Sequence, residues 1–344
     1  MARQLLVHSV TISALLGLTL SSVAVAQAPA QSACPPFFTP PLPTNFKPKL
    51  VQELTGHTSF VYALTFSCDG RLISTSSTTD RSARVWDWRS GKQLFSFTAI
   101  DPYDWFTAAF LSPDGQTLFT ADSIGKIQIR DSQTGAVRSD FPSRTRGSGI
   151  VTLTRDGQTL IDATGTGGDF GITLWNLSSR QPKRIVGTWA DVWAITPDGY
   201  TLAAASSNGT AKVWNLRSGQ VVSTLPNSST AGAVAIALTP KGESLVVAYS
   251  DGFLKQWNAR TGKFSRILFR GIQPKAIAIS PDGRTLAIGY YNHIRLWNLN
   301  TNRLLHNLPA NALGSQLLRF SPDGRFLTNT DETGAMIRVW QLAP

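Results

Sequence analysis

One turn signal recurs seven times along this chain and limits what it can fold into. It reads Cys68-Asp69-Gly70, Pro113-Asp114-Gly115, Arg155-Asp156-Gly157, Pro197-Asp198-Gly199, Pro240-Lys241-Gly242, Pro281-Asp282-Gly283 and Pro322-Asp323-Gly324. Successive glycines lie 45, 42, 42, 43, 41 and 41 residues apart. Alternating apolar runs flank each turn. Asp-Gly between two such runs predicts a tight hairpin, because glycine supplies the positive φ that the turn requires. A second signature follows each glycine: Val85-Trp86-Asp87, Leu174-Trp175-Asn176, Val213-Trp214-Asn215, Gln256-Trp257-Asn258, Leu296-Trp297-Asn298 and Val339-Trp340-Gln341, with Ile129-Arg130-Asp131 in the second unit. Another turn and a final β-branched or apolar run complete the unit, as in Ser218-Gly219 before Val221–Leu225. Four short strands per unit of about 42 residues is the period of a β-propeller.

Seven turn-plus-tryptophan units in register resemble the WD-repeat β-propeller family, over residues 47–344. The resemblance implies an all-β fold: seven blades, each of four antiparallel strands. The strand count makes the same demand at the ends. The last unit stops after three strands, and one spare strand, residues 49–54, precedes the first unit. The N-terminal strand is therefore expected to close the last blade and cover its edge.

The repeat tryptophans Trp86, Trp175, Trp214, Trp257, Trp297 and Trp340 are expected to pack between sheets, each with an N–H in need of a partner. In the family that partner belongs to a network of Trp, Ser/Thr, His and Asp. Blade one holds the parts: His57 after Gly56, Asp80 six residues before Trp86, and hydroxyls such as Ser74 and Thr75, between which the sequence does not choose. Asp169 and Asp251 hold the matching place before Trp175 and Trp257, and Asn208 before Trp214. Ile124, Tyr291 and Gly334 stand there in blades two, six and seven, and no other blade repeats the Gly-His pair, so the network is complete at most once.

In family members the loops leading into each first strand form the usual partner-binding surface. The positions that map there are Phe60, Tyr62, Trp105, Trp189, Asp191, Lys275 and Gln316, with Gly147 and Gly232 in blades three and five, where they would leave gaps. Exposed Trp and Tyr carry interface energy. Trp105 and Trp189 serve either as binding residues or as plugs at the top of the channel. Arg138, Arg144 and Arg146 form a loop cluster against one Asp140.

The N-terminus reads as a secretory signal. Arg3 precedes an apolar run that ends in Ala24-Val25-Ala26, a small-x-small cleavage pattern. Residues 1–26 are assigned to the signal, 27–46 to a proline-rich extended leader and 47–344 to the propeller. Periplasmic or extracellular residence follows. After signal removal no stretch is long and apolar enough to span a bilayer. Gln31-Ser32-Ala33-Cys34 fits a lipidation site poorly. In an oxidising compartment Cys34 and Cys68, the only two cysteines, could form a disulfide.

The net charge is +11, and the loss of Arg3 leaves +10. Such a balance favours acidic partners. The mature chain holds three histidines, His57, His293 and His306, with no metal-ligand spacing, no Gly-x-Ser-x-Gly elbow and no phosphate-binding loop. The expected function is therefore a non-catalytic scaffold for protein partners in the cell envelope, with no cofactor, metal or specific nucleic acid. The alternatives are a lectin-like or polyanion-binding module, and a hydrolase using carboxylates from different blades at the channel mouth.

Overall fold

A computed structural model describes residues 42–43, 46–99, 104–142, 150–154, 156–164, 171–186, 190–226, 231–309, 317–331 and 333–343. They form seven four-stranded antiparallel sheets arranged as a ring of blades. Blade one consists of Val61–Phe66, Leu72–Ser77, Ser82–Asp87 and Lys92–Thr98, paired in chain order. Blades two to six repeat that order. The protein is a seven-bladed β-propeller.

The hairpin between the first and second strands shows why the sequence folds this way. All seven turn glycines adopt φ between +64° and +79°, a region closed to most side chains. In six blades a Ser or Thr two residues before the Asp donates its hydroxyl to that carboxylate at 2.5–2.6 Å: Ser67, Ser112, Thr154, Thr196, Ser280 and Ser321. The same carboxylate accepts the N–H of the residue after the glycine. Lys241 breaks the carboxylate half of the clamp in blade five. There Thr239 still accepts the Ser244 N–H at 2.9 Å, and the Gly242 N–H still donates to the Thr239 carbonyl.

Among the described residues the buried side chains group into seven apolar layers, and each layer joins two neighbouring blades. Ile161, Ile172 and Leu174 of blade three meet Leu202, Trp214 and Leu216 of blade four. Ala83 and Val85 of blade one meet Phe106 and Leu118 of blade two. One layer crosses the chain's two ends, with Leu54, Ile73 and Trp86 against Ile337 and Val339. The core is therefore a ring of interfaces, and a broken blade weakens both of its neighbours.

The ring closes as the strand count required. Lys49–Leu54 pairs antiparallel with Ile337–Gln341, from Lys49 opposite Gln341 to Leu54 opposite Ile337, with a bulge at Val51. Leu54 is fully buried, and Arg338 donates to Glu53 at 2.9 Å. Packing also reaches back into the leader. Phe46 is buried, and Leu42 packs on the same layer, between blades six and seven. Among the described residues no helix is long and apolar enough to cross a membrane.

Candidate functional site

Because successive strands run in opposite directions, the loops leading into each blade and the turns joining its second and third strands emerge at the same end of the ring. In blade one these two segments are locked together. The Trp86 indole N–H donates to the Thr75 hydroxyl at 3.0 Å, and the His57 ring lies 2.8 Å from Thr75 through Nε2 and 2.7 Å from Asp80 through Nδ1. The carboxylate can only accept, so Nδ1 carries the proton. Nε2 then accepts from the Thr75 hydroxyl. Thr75 rather than Ser74 is the hydroxyl of the network. Trp86 pairs with Ile73, and Thr75 lies two residues further along on the same face of the sheet. Ser74 faces the other way and donates to the Ala109 carbonyl of blade two.

Asp80 also accepts the Thr58 N–H and the Ser82 hydroxyl. Burial by itself would raise its pKa. The hydrogen bonds from His57, Ser82 and the Thr58 N–H together outweigh burial and hold the carboxyl well below its ordinary 3.8. The network thus ties the loop that leads into blade one to the turn after its second strand, and so fixes Phe60 and Tyr62.

Other blades use shorter versions. In blade seven the Trp340 N–H donates to Asn329 Oδ1 at 2.7 Å. Asn329 occupies the register position of Thr75, a match that the sequence reading missed. Trp175 and Trp297 have buried N–H groups with no hydrogen-bond partner among the described residues. Asp251 is exposed and accepts the Phe253 N–H within its own turn. Asn208 accepts from Ser206 and Thr210, again within its turn. Asp169 lies outside the described residues.

At the mouth, Phe60, Tyr62 and Trp105 are 40%, 51% and 39% exposed. Tyr62 is the bulged residue between Val61 and Ala63, and the bulge turns its ring out of the sheet register. Trp105 is held by a clamp that the sequence reading did not find. Asp104 accepts the Trp105 N–H, the Ser123 N–H and the Ser123 hydroxyl, while the Ser123 N–H also reaches the Trp105 carbonyl. Asp191 performs the same task in blade four, accepting the Ser207 N–H at 2.5 Å. It is therefore a clamp as well as a surface residue. The Lys275 ammonium lies 4.3 Å from the centre of the Tyr291 ring. Trp189, Gln316 and Gly147 lie outside the described residues.

Two positions read only as departures from the repeat aspartate also belong to this end. Ile124 and Tyr291 are 61% and 47% exposed. The aspartate of blade one is buried in its network, so an apolar residue at the same place in blades two and six faces outward. Gly232 acts otherwise than expected. A Cβ on Gly232 would lie 2.5 Å from the Ser207 carbonyl, so blade four's turn fills that space and no gap opens there. Phe60 fills the matching space above Gly334 of blade seven, where an added Cβ would lie 2.2 Å from the ring.

Asp122, at the same end, has its pKa raised by burial and further by the charge of Asp104, against the hydrogen bond from the Lys126 N–H. Both carboxylates come from blade two. Among the described residues no group of three or more His, Cys, Asp or Glu is placed to hold a metal ion. Arg138 is paired with Asp131, and Arg144 and Arg146 lie outside the described residues. Cys68 is disulfide-bonded rather than free, and Cys34 lies outside the described residues.

The family described as WD domain, G-beta repeat, matches residues 48–87 and 180–215. The chain is 29% identical over 189 residues to Autophagy-related protein 16 of Arabidopsis thaliana, covering 52% of this chain and 35% of that protein. It is 27% identical over 227 residues to Small ribosomal subunit protein RACK1 of Candida albicans, covering 54% and 70%. It is 25% identical over 298 residues to Apoptotic protease-activating factor 1 of Rattus norvegicus, covering 86% and 20%. The chain spans from about a third to somewhat over half of the length of the first relatives it matches.

Proposed function

We propose that this chain is an exported, bacterial-type WD-repeat scaffold that holds protein partners against one mouth of its propeller, in the periplasm or outside the cell. The observation that carries the reading is the set of half-exposed aromatic rings on a backbone fixed by buried networks. Such rings supply contact area at little cost in conformational entropy. The relatives add support: one is by name a ribosomal subunit protein and another, from Schizosaccharomyces pombe, a Target of rapamycin complex subunit. The export signal rests on residues 1–26, and the preference for acidic partners on the net positive charge.

The test is capture of partners from the envelope fraction by the purified chain, at low and high salt, beside a Tyr62→Ala, Trp105→Ala variant. A partner retained at high salt and lost with the variant fits a protein scaffold. Binding that collapses with salt for every polyanion offered, and ignores the variant, fits a charge-driven module and defeats the reading. An exported protein whose N-terminus is not Gln27 would contradict the assigned cleavage.

A further inference from the structure

We propose that the groove between blades three and four, at the end of the ring opposite the mouth, binds an extended peptide through one aromatic side chain flanked by acidic residues. The first ground is the repeat itself. Between blades six and seven Phe46 of the chain's own leader is buried with Ala287, Leu296 and Leu342, its ring centred 4.4 Å from the His306 ring and roughly edge-on to it. The groove between blades three and four is its register equivalent. Ile161 pairs with Leu174 and Leu174 with Lys183, as Ala287 pairs with Leu296 and Leu296 with His306. The Leu216 N–H donates to the Tyr200 carbonyl as the Leu342 N–H does to that of Arg325. Between blades seven and one, Trp88 follows the third strand as Leu216 does, and its ring packs on Phe326 at 4.6 Å. Two grooves of this kind are thus filled by the chain's own aromatic rings.

Between blades three and four a cavity of about 230 Å³ remains, floored by Ile161, Leu174 and Leu216. Pockets for drug-sized ligands run to roughly 300–1,000 Å³, so this one suits a single large side chain. The second ground is the rim. Lys183 stands where His306 stands in the filled groove, and Arg217 where Ala343 does. The Lys183 ammonium donates to the Arg217 carbonyl at 3.0 Å and keeps two further N–H donors. The Arg217 guanidinium lies 3.7 Å from the centre of the Tyr200 ring. The carboxylates of the two flanking turns are engaged: Asp156 accepts from Thr154, the Gln158 N–H and the Tyr200 hydroxyl, and Asp198 from Thr196 and the Tyr200 N–H. The charged residues that line the cavity, Lys183 and Arg217, are both positive, and their complement is a peptide with carboxylates beside the aromatic anchor.

The experiment is fluorescence polarisation of the fluorescein-labelled peptide Leu-Pro-Asp-Asp-Phe-amide, an acidic version of the leader segment, titrated with the purified chain. Saturable binding is expected. It should weaken at least tenfold when alanine replaces the peptide's phenylalanine, and at least tenfold in a Lys183→Glu, Arg217→Glu variant, whose changes lie on the exposed rim. Trp105→Ala, at the other end, should leave it unchanged, so this site and the mouth can fail separately. No saturable binding, equal binding of the alanine peptide, or binding that survives the charge reversal would each overturn the proposal.

Discussion

Thr75→Val isolates the buried network of blade one. The substitution replaces a hydroxyl with a methyl group of nearly equal volume, so it opens no cavity. It leaves the Trp86 N–H and His57 Nε2, now 3.0 and 2.8 Å from Thr75 Oγ1, without partners in a dry site. An unpaired buried polar group costs about 1–3 kcal/mol, so two of them predict a loss of about 2–6 kcal/mol. Ser74→Ala is the comparison. Ser74 is as buried and also holds a cross-blade hydrogen bond, at 3.1 Å to the Ala109 carbonyl. Loss of that bond and of the 2.7 Å hydrogen bond with the Thr65 hydroxyl should cost about 1–2 kcal/mol. Urea unfolding followed by tryptophan fluorescence reads both changes as midpoint shifts against the same wild type. If Thr75→Val shifts the midpoint no more than Ser74→Ala does, the hydroxyl does not join the indole to the imidazole in the way described.

Asp80→Asn should flatten the dependence of stability on acid. The folded-state pKa of Asp80 is depressed, so its stabilisation is present above the ordinary carboxylate value of 3.8 and is lost as pH falls below it toward the folded value. Melting temperatures from pH 7 to pH 3 should show the gap between wild type and variant shrinking at the acid end, and a constant gap counts against the linkage. Deletion of residues 47–55 removes the closing strand, the buried Leu54 and the pairing with Ile337–Gln341, a loss of about 5 kcal/mol from one apolar side chain and several backbone hydrogen bonds. It also frees a strand edge, so the shortened chain should self-associate in sedimentation. A monomer that melts like the full chain would sink this. Mass spectrometry of the unreduced protein should show Cys34 joined to Cys68, and two free thiols would end that expectation.

The blades were legible in the sequence because their determinants are local. Asp-Gly turns at a fixed period need only the φ of glycine and the reach of a serine or threonine hydroxyl. The closing strand 49–54 followed from counting strands. What escaped depends on register or on neighbouring blades. The choice between Ser74 and Thr75 is a question of which face of the strand each residue takes, and it is settled by the pairing of Ile73 with Trp86. The pairing of Asn329 with Trp340 could have been found by carrying the eleven-residue offset from Thr75 to Trp86 over to the last blade. The clamp by Asp104 and the outward placing of Ile124 and Tyr291 have no such marker, since they arise where two loops meet. Gly232 was read as a gap because a glycine's own sequence does not show that Ser207 of the preceding blade occupies its space. Phe46 lay in a proline-rich leader, and its burial depends on a groove built some 240 residues further along.

The mouth is tested most directly through Trp105. Its ring is exposed while its backbone is held by Asp104 and Ser123, so Trp105→Ala removes contact area without touching the clamp. With a partner captured from the envelope fraction, Trp105→Ala should weaken binding by about 2 kcal/mol, some thirtyfold in Kd, and leave the melting temperature unchanged. A lowered melting temperature with unaltered binding per folded molecule would make Trp105 a plug of the channel and place the partner surface elsewhere on the ring.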